Sequence, residues 1–276
     1  MKRLMALLLL AASAGGYAAD RNDIPSCYSF ARLDAQRPAS GGRELVLIVD
    51  QTVKVPDDLK KSIWQQVVRY TQPGDHIIMY QFSALLQDNY MKRAFDGTLE
   101  RPFTDQKARN SLGMDSLKSL DGCLLQQKQF FDQSIGKKMA AAFAGQGDNV
   151  AKSEIMDSLK RIADDLKATP AEQRTVLLVS DMLENSDFGS FYSSNQIRLL
   201  APAKEMARVS QQQLLADFAG SRVYIAGAGL IDTDAKNNYR SGKIMQQLET
   251  FWRGWFEASH ATVVSFGAPE LTVDLR

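Results

Sequence analysis

The chain has 276 residues, of which 45% are hydrophobic and 24% are charged, an ordinary balance for a globular protein with one sizeable core. Its formal net charge at pH 7 is +1. A charge this close to zero gives no reason to expect nucleic acid or an anionic membrane as the main partner.

Residues 1–18 have the pattern of a secretory signal peptide, because Lys2 and Arg3 precede a short apolar run that ends in small residues. The apolar run is too short to span a bilayer comfortably, so we expect no membrane insertion after signal cleavage. We therefore expect a periplasmic or secreted protein. Residues 19–42 then form an N-terminal arm, and residues 43–276 form one domain.

The two cysteines of the chain, Cys27 and Cys123, are expected to form one disulfide bond in an oxidising compartment. Such a bond would tie the N-terminal arm to the domain. Two buried free thiols remain the alternative.

Strands and helices are predicted to alternate along residues 43–276. At residues 44–50, five consecutive apolar residues run into Asp50, which is typical of a strand buried on both faces of a parallel sheet. Further strands are predicted at 76–82, 90–99, 175–180, 222–226 and 261–266, and helices at about 56–70, 115–143, 153–167, 203–218 and 239–258. This alternation predicts an α/β fold with a single doubly wound, mostly parallel sheet and helices on both of its faces.

Two of the predicted buried strands end in an acid, Asp50 in the first and Asp181 in the fourth. In the strand order 3-2-1-4-5-6 these strands are neighbours where the winding reverses, which is the crevice where such sheets bind ligands. Thr52 follows the first acid closely, and Ser153 begins the helix before the fourth strand. Two carboxylates and two hydroxyls make an all-oxygen set that suits Mg²⁺ or Mn²⁺.

At these positions the sequence resembles the von Willebrand factor A family, over roughly residues 44–266. The resemblance rests on DQTVK at residues 50–54 after an apolar strand, on KSEI at residues 152–155 opening a helix, and on LLVSD at residues 177–181. In that family the first loop reads Asp-x-Ser-x-Ser, a later loop supplies a Thr, and the fourth strand ends in Asp. The resemblance implies a Rossmann-like fold and a metal-ion-dependent adhesion site, whose metal ligands would be Asp50, Thr52, Ser153 and Asp181.

Lys54 departs from this pattern, because an ammonium stands where the family has a metal-binding hydroxyl. Inside the site it would neutralise Asp50 and Asp181 and compete with a divalent cation. Its long stem could instead carry the charge out to solvent. The adhesion site is therefore degenerate, and an alternative is that the two acids only order their loops, with a salt bridge to Lys54.

Residues 183–195 follow the second acid directly and carry aromatic side chains among Ser, Asn and Gly. Phe188 and Tyr192 are candidate anchors for a bound protein, because loops on a rigid scaffold often carry binding and aromatic side chains are common anchors. The alternative is a loop whose aromatic side chains fold back onto their own domain.

These observations favour an exported, non-catalytic module that binds a protein partner in the cell envelope through the face around Asp50 and Asp181. A periplasmic phosphatase of the haloacid dehalogenase type is an alternative, but it needs a second acid two residues after the first, where this chain has Thr52. With two histidines and paired cysteines, no nucleophilic triad can be assembled convincingly. A structural envelope protein with a vestigial site is the third possibility. The residues assigned to the binding face are Asp50, Thr52, Lys54, Ser153, Asp181, Phe188 and Tyr192.

Overall fold

A six-stranded sheet forms the centre of the protein. The structure is a computed structural model, and it describes residues 21–83, 91–144, 152–193, 196–231 and 242–276. The strands are β1 Arg43–Asp50, β2 His76–Phe82, β3 Met91–Thr98, β4 Gln173–Val179, β5 Ser221–Ala226 and β6 Ala261–Phe266. Their order in the sheet is β3-β2-β1-β4-β5-β6, and all neighbouring strands are parallel except β2 and β3. The predicted doubly wound, mostly parallel sheet is therefore confirmed.

Helices cover both faces of this sheet. They are α1 Cys27–Ala31, α2 Asp57–Tyr70, α3 Gln106–Arg109, α4 Met114–Ala144, α5 Ile155–Leu166, α6 Pro202–Gln211 and α7 Gly242–Ala258. One apolar cluster joins α2 and α4 to one face, and a second joins α5, α6 and α7 to the other. Among the described residues, no helix is both long and apolar enough to cross a membrane.

Strand β1 lies in the middle of the sheet and has apolar side chains on both faces. Leu45 and Leu47 belong to the cluster under α2 and α4, whereas Val46 and Ile48 belong to the cluster under α5, α6 and α7. Successive side chains of a strand point to opposite faces, so a strand covered on both sides needs an unbroken apolar run. The run ends at Asp50, which therefore marks the carboxyl edge of the sheet.

The segment 21–42, predicted as an arm, contains the short helix α1 and a 3₁₀ turn at Asp34–Gln36. Cys27 and Tyr28 are fully buried against α4. The disulfide between Cys27 and Cys123 is present, with the two Cα atoms 5.5 Å apart, which lies within the usual range for such a bond. The predicted signal peptide lies outside the described residues.

Two predicted elements differ from the structure by more than a few residues. The helix predicted at 203–218 ends at Gln211, because Gln213 adopts a left-handed conformation and the Leu214 amide turns back to the Val209 carbonyl. The predicted loop at 183–195 contains short strands: Asn185–Ser186 pairs with Gly189–Ser190, and Tyr192–Ser193 pairs with Gln196–Ile197. Residues 194–195, and the predicted element ends at 90 and 239–241, lie outside the described residues.

Charged side chains join four strands near the amino end of β1. His76 lies between two acids, with its Nδ1 3.0 Å from Glu44 and its Nε2 2.9 Å from Asp96. Arg174 and Arg93 in turn pair with Glu44 and Asp96. Burial disfavours the charged imidazole, but hydrogen bonds and charges from Asp96 and Glu44 outweigh it and raise the pKa of His76 to about 9.

Candidate functional site

The two strand-end acids lie at the carboxyl edge of the sheet, on neighbouring strands. Val49 of β1 is in register with Val179 of β4, so Asp50 and Asp181 follow at the same edge. Both are buried, with Asp50 0% and Asp181 5% exposed. This is the point at which the winding of the sheet reverses, as the sequence predicts.

Asp50 is held by neighbouring hydroxyl and amide donors. The backbone N–H and the Oγ1 hydroxyl of Thr52 donate to its Oδ1, at 2.9 and 2.6 Å, which folds the loop back over the carboxylate. The hydroxyl of Ser180 donates to its Oδ2 at 2.8 Å. Both carboxylate oxygens of Asp50 are therefore engaged with neutral groups.

Thr52 and Ser153 bring their hydroxyls together from distant parts of the chain. Their oxygens lie 3.0 Å apart, although the residues are 101 positions apart in sequence. Ser153 lies two residues before α5 and forms an antiparallel bridge with Asn185, in which each residue's N–H donates to the other's carbonyl. The bridge fixes the backbone that carries the Ser153 hydroxyl.

Asp181 is held by the segment that follows it. The Leu183 amide donates to its Oδ1 at 2.8 Å, and the Tyr192 hydroxyl donates to its Oδ2 at 2.8 Å. Burial and the neighbouring charge of Asp181 raise the pKa of Tyr192, so the phenol remains a hydrogen-bond donor at neutral pH. Tyr192 thus belongs to the site by holding the second acid.

The two acids have raised pKa values because they are buried near one another. Burial raises the pKa of Asp50 to about 6, against the opposing hydrogen bonds from Thr52 and Ser180. Burial also raises the pKa of Asp181 well above its ordinary value, and the charge of Asp50 adds to this. A cation near the pair would lower both pKa values, because an opposite charge stabilises the ionised form.

The remaining assigned side chains occupy different environments. The Lys54 side chain is exposed, whereas the two acids are buried, which fits the alternative in which its stem carries the charge to solvent. Phe188 is only 4% exposed and packs edge to face on Phe191. The aromatic rings of this segment thus fold back onto their own domain, and Phe188 is not accessible to a docked protein.

Three contributors to this region were missed by the sequence analysis. Ser180 donates to Asp50 and accepts from the Met182 amide, and Met182 has a left-handed backbone with φ 61°. Glu184 is buried beneath the start of α5, where it accepts the Met156 amide at 3.0 Å. Burial raises the pKa of Glu184 to about 7, against opposing hydrogen bonds from Ser186, Met156 and Ile155. Ser180 could have been suspected from the sequence, because it precedes Asp181 in the run VSD at residues 179–181. The role of Glu184 could not, because it depends on a contact with Met156, which lies far away in the sequence.

The donors at this edge are oxygen atoms of acids and hydroxyls. Within the described residues, no group of three or more His, Cys, Asp or Glu side chains is arranged to hold a metal ion. Any cation here would therefore depend on the hydroxyls of Thr52 and Ser153 together with Asp50 and Asp181.

No protein-family model matches the sequence, and no curated protein matches it significantly. Solved structures show weak similarity. The three N-terminal domains of the type V pili tip protein Mfa5 from Porphyromonas gingivalis give a TM-score of 0.30 at 14% identity, covering 51% of this chain and 20% of theirs. An aerotolerance-related membrane protein from Bacteroides fragilis gives 0.36 at 13% identity, covering 82% of this chain and 92% of its own.

The minor pilin PilB from Streptococcus sanguinis gives a TM-score of 0.37 at 11% identity, covering 81% of this chain and 57% of its own. The chain thus spans a fifth of the Mfa5 structure and rather more than half of PilB. Likenesses this weak say nothing of function, and the α/β fold of this chain stands on its own strand order.

Proposed function

We propose that this chain is an exported, non-catalytic module that binds a protein partner in the cell envelope. The partner docks on the site face, which we define as the carboxyl edge of β1 and β4 with Asp50, Thr52, Lys54, Ser153 and Asp181. One observation carries the proposal. The hydroxyls of Thr52 and Ser153 meet 3.0 Å apart, near a buried acid pair at the reversal point of the sheet.

Export is supported by two independent features. The first is the signal-peptide pattern of residues 1–18. The second is the disulfide between Cys27 and Cys123, since such bonds persist in oxidising compartments outside the cytosol. Together they favour a periplasmic or secreted location, where the partner would be another envelope protein.

The donor set fits a small divalent cation in part. The hydroxyls of Thr52 and Ser153 and the carboxylates of Asp50 and Asp181 are all oxygen donors, the kind that Mg²⁺ and Mn²⁺ prefer. The two hydroxyls would hold Mg²⁺ or Mn²⁺, and Asp50 and Asp181 would supply the negative charge. A bound cation would supply an open coordination position for a carboxylate of the partner.

Lys54 argues against tight metal binding. The third hydroxyl expected from the family pattern is replaced by an exposed ammonium, so the set has one oxygen ligand fewer. The resemblance to the von Willebrand factor A family thus supports the position of the site in the fold more than it supports metal binding there. Docking through the half-buried Thr52 and the exposed Lys54, without metal, is the form that we favour, and the buried Ser153 hydroxyl contributes by bonding to that of Thr52.

The test is capture of a partner from envelope extracts with the tagged protein, compared in Mg²⁺ and in chelator. We expect one protein to be retained by the wild type and lost with Thr52→Val and with Ser153→Ala. Thr262→Val, an exposed threonine on β6, is the matched control and should retain it. Loss on chelation would assign the docking to a metal, and retention in chelator would assign it to the protein groups alone.

Other outcomes would contradict the proposal. Equal capture by Thr52→Val, Ser153→Ala and the control would support a structural protein with a vestigial site. Turnover of p-nitrophenyl phosphate that is lost in Asp50→Asn would support the hydrolase alternative.

A further inference from the structure

A groove lies between α2 and α4, outside the site face. It is an open depression of about 520 Å³, formed by residues of α2 and of the last part of α4. Trp64 and Phe143 supply aromatic surface, Met139 adds apolar surface, and Lys60 and Lys61 lie on the α2 side. The groove is thus lined by apolar side chains and two lysines, and the Lys60 ammonium lies 6.0 Å from the centre of the Phe143 ring.

Gly136 keeps this groove open. A Cβ at this position would lie 3.4 Å from the ring of Trp64, in ordinary contact, so any larger side chain would grow into the space beside the indole. Ala140, one turn further along α4, also lines the groove. A glycine inside a helix lowers the stability of that helix by about 1 kcal/mol relative to alanine. Gly136 thus destabilises α4 where the helix faces Trp64.

Trp64 differs from the other two tryptophans of the chain. Trp252 and Trp255 are fully buried, and their indole N–H groups donate to the carbonyls of Met182 and Leu214. Trp64 is half-buried, and among the described residues its indole N–H makes no hydrogen bond. A half-exposed indole with an available donor is a common anchor in protein interfaces.

The charged side chains that line the groove are two lysines, Lys60 and Lys61. Lys60 pairs with Asp57 at 2.9 Å, but Lys61 is exposed and forms no ion pair with any described residue. Lys137 follows Gly136 on α4 and is exposed as well. A ligand that placed an apolar side chain on Trp64 and a carboxylate near Lys61 would complement both features of the groove.

The groove is also connected to the site face. The side-chain amide of Gln51, between Asp50 and Thr52, donates to the Ala142 carbonyl near the end of α4 at 3.0 Å. The same loop leads directly into α2, which begins at Asp57. The loop that carries Asp50 and Thr52 is thus fixed to the end of one of the two helices that line the groove.

We propose that the groove binds an acidic peptide segment that carries a large apolar side chain. The inference rests on the proposed function, because it names the chemistry of the partner segment. The apolar side chain lies against Trp64 in the space left by Gly136, and the acidic residues lie along Lys61.

The experiment titrates the full-length mature protein with two synthetic peptides and follows tryptophan fluorescence and its quenching by acrylamide. One probe is an acetylated hexapeptide of alternating glutamate and phenylalanine, and the other has lysine in place of glutamate. Because Trp252 and Trp255 are buried, the acrylamide-sensitive signal comes from Trp64. We expect saturable protection of this signal by the acidic peptide and none by the basic one.

Variants with matched controls locate the binding. Gly136→Leu should abolish the protection, whereas Gly122→Leu on the same helix, where nothing lies within 4 Å, should bind like the wild type. Ala140→Leu repeats the test in case Gly136→Leu fails to fold. Lys61→Glu should weaken binding about tenfold, because a charge pair becomes a repulsion, whereas Lys118→Glu on exposed α4 surface should not.

Several results would overturn the inference. These are no saturable protection, equal protection by both peptides, or unchanged binding by Gly136→Leu and Ala140→Leu. An acrylamide-insensitive Trp64 in the free protein would show that another part of the chain covers the groove. A change in Trp64 fluorescence with protein concentration alone would show that a second copy does.

Failure of the groove and failure of the site face can be told apart. The peptide titration does not depend on Asp50, Thr52 or Ser153, so it can succeed when capture of a partner fails. Conversely, partner capture that is lost in Thr52→Val and unchanged in Gly136→Leu would remove the groove inference and leave the proposed function standing.

Discussion

Asp50 shows how burial and hydrogen bonding compete at a single carboxyl group. Its complete burial favours the neutral form, and three hydrogen bonds from Thr52 and Ser180 favour the charged form, leaving a pKa of about 6. The group therefore titrates close to neutrality. Any cation that arrives at the site face would shift this balance towards the carboxylate.

A substitution of Lys54 gives the most direct test of whether the site face binds a metal ion. We expect millimolar Mg²⁺ to change the melting temperature of the wild type little or not at all, because the third hydroxyl is missing. The Lys54→Ser variant supplies this hydroxyl. Its melting temperature should rise by a few degrees with Mg²⁺, because a ligand that binds only the folded state stabilises that state. Thermal melts with and without Mg²⁺ measure both effects.

Two controls accompany these melts. Lys118→Ser, at an exposed position on α4, removes a positive charge elsewhere and should not respond to Mg²⁺. Adding Asp50→Ala to Lys54→Ser should cancel the gained response. A rise of several degrees in the wild type would mean that Lys54 does not disable the metal site.

At the scale of elements, His76 joins three strands, because its ring lies between Glu44 of β1 and Asp96 of β3. Its pKa is raised from 6.5 to about 9, so between these pH values the folded state holds a proton that the unfolded state has lost. This contribution to stability is complete below pH 6.5 and is lost as the pH rises through 9. It amounts to roughly 3 kcal/mol at most.

We therefore expect the free energy of unfolding to fall between pH 6.5 and pH 9, and His76→Gln to flatten this part of the profile. Urea unfolding at a series of pH values measures the difference between the two proteins. His260→Gln is the control, because His260 is exposed and pairs with Asp217 at the surface. A parallel profile for His76→Gln and the wild type would contradict the role of His76.

Most elements of the fold could be predicted because their signals are local. The apolar runs of β1 and β4 and the helical spacing in α2 mark these elements within their own residues. The end of α6 depends on one left-handed residue, Gln213, which no periodicity reveals. Likewise α5 begins at Ile155 and not at Ser153, because Ser153 pairs with Asn185 and Glu184 holds the first amides of the helix.

The candidate site was predictable only in part, because some of its contacts join residues that are far apart in the sequence. Asp50, Thr52 and Asp181 follow from strand ends, and the strand order then brings the two acids to one edge. The hydroxyl contact between Thr52 and Ser153 joins residues far apart in the chain. The burial of Phe188 likewise depends on distant partners, including Arg208, whose guanidinium stacks 4.4 Å from the centre of its ring.

At the scale of the whole molecule, one covalent bond closes a long loop. Cys27 and Cys123 are separated by 96 positions and attach α1 to α4. Closing a loop of this size stabilises the folded state by about 2–5 kcal/mol, mainly by restricting the unfolded chain. We expect Cys27→Ser with Cys123→Ser to lower the free energy of unfolding by about this amount.

Urea unfolding of the double variant and of the wild type, each with and without a reductant, measures this contribution. The reductant should lower the stability of the wild type and leave that of the double variant unchanged. A wild type that is insensitive to reductant, or mass mapping that finds two free thiols, would refute the bond.

The anchoring of Ser153 has a consequence for the rate at which a partner binds. The Ser153 backbone is paired with that of Asn185. Glu184, the residue before Asn185, accepts the Met156 amide and so fixes the start of α5. The hydroxyls of Thr52 and Ser153 are therefore in place before any encounter. Association at the site face should then require no rearrangement of this chain, and its rate constant should fall in the range of about 10⁵–10⁷ M⁻¹ s⁻¹ that rigid docking of two surfaces allows.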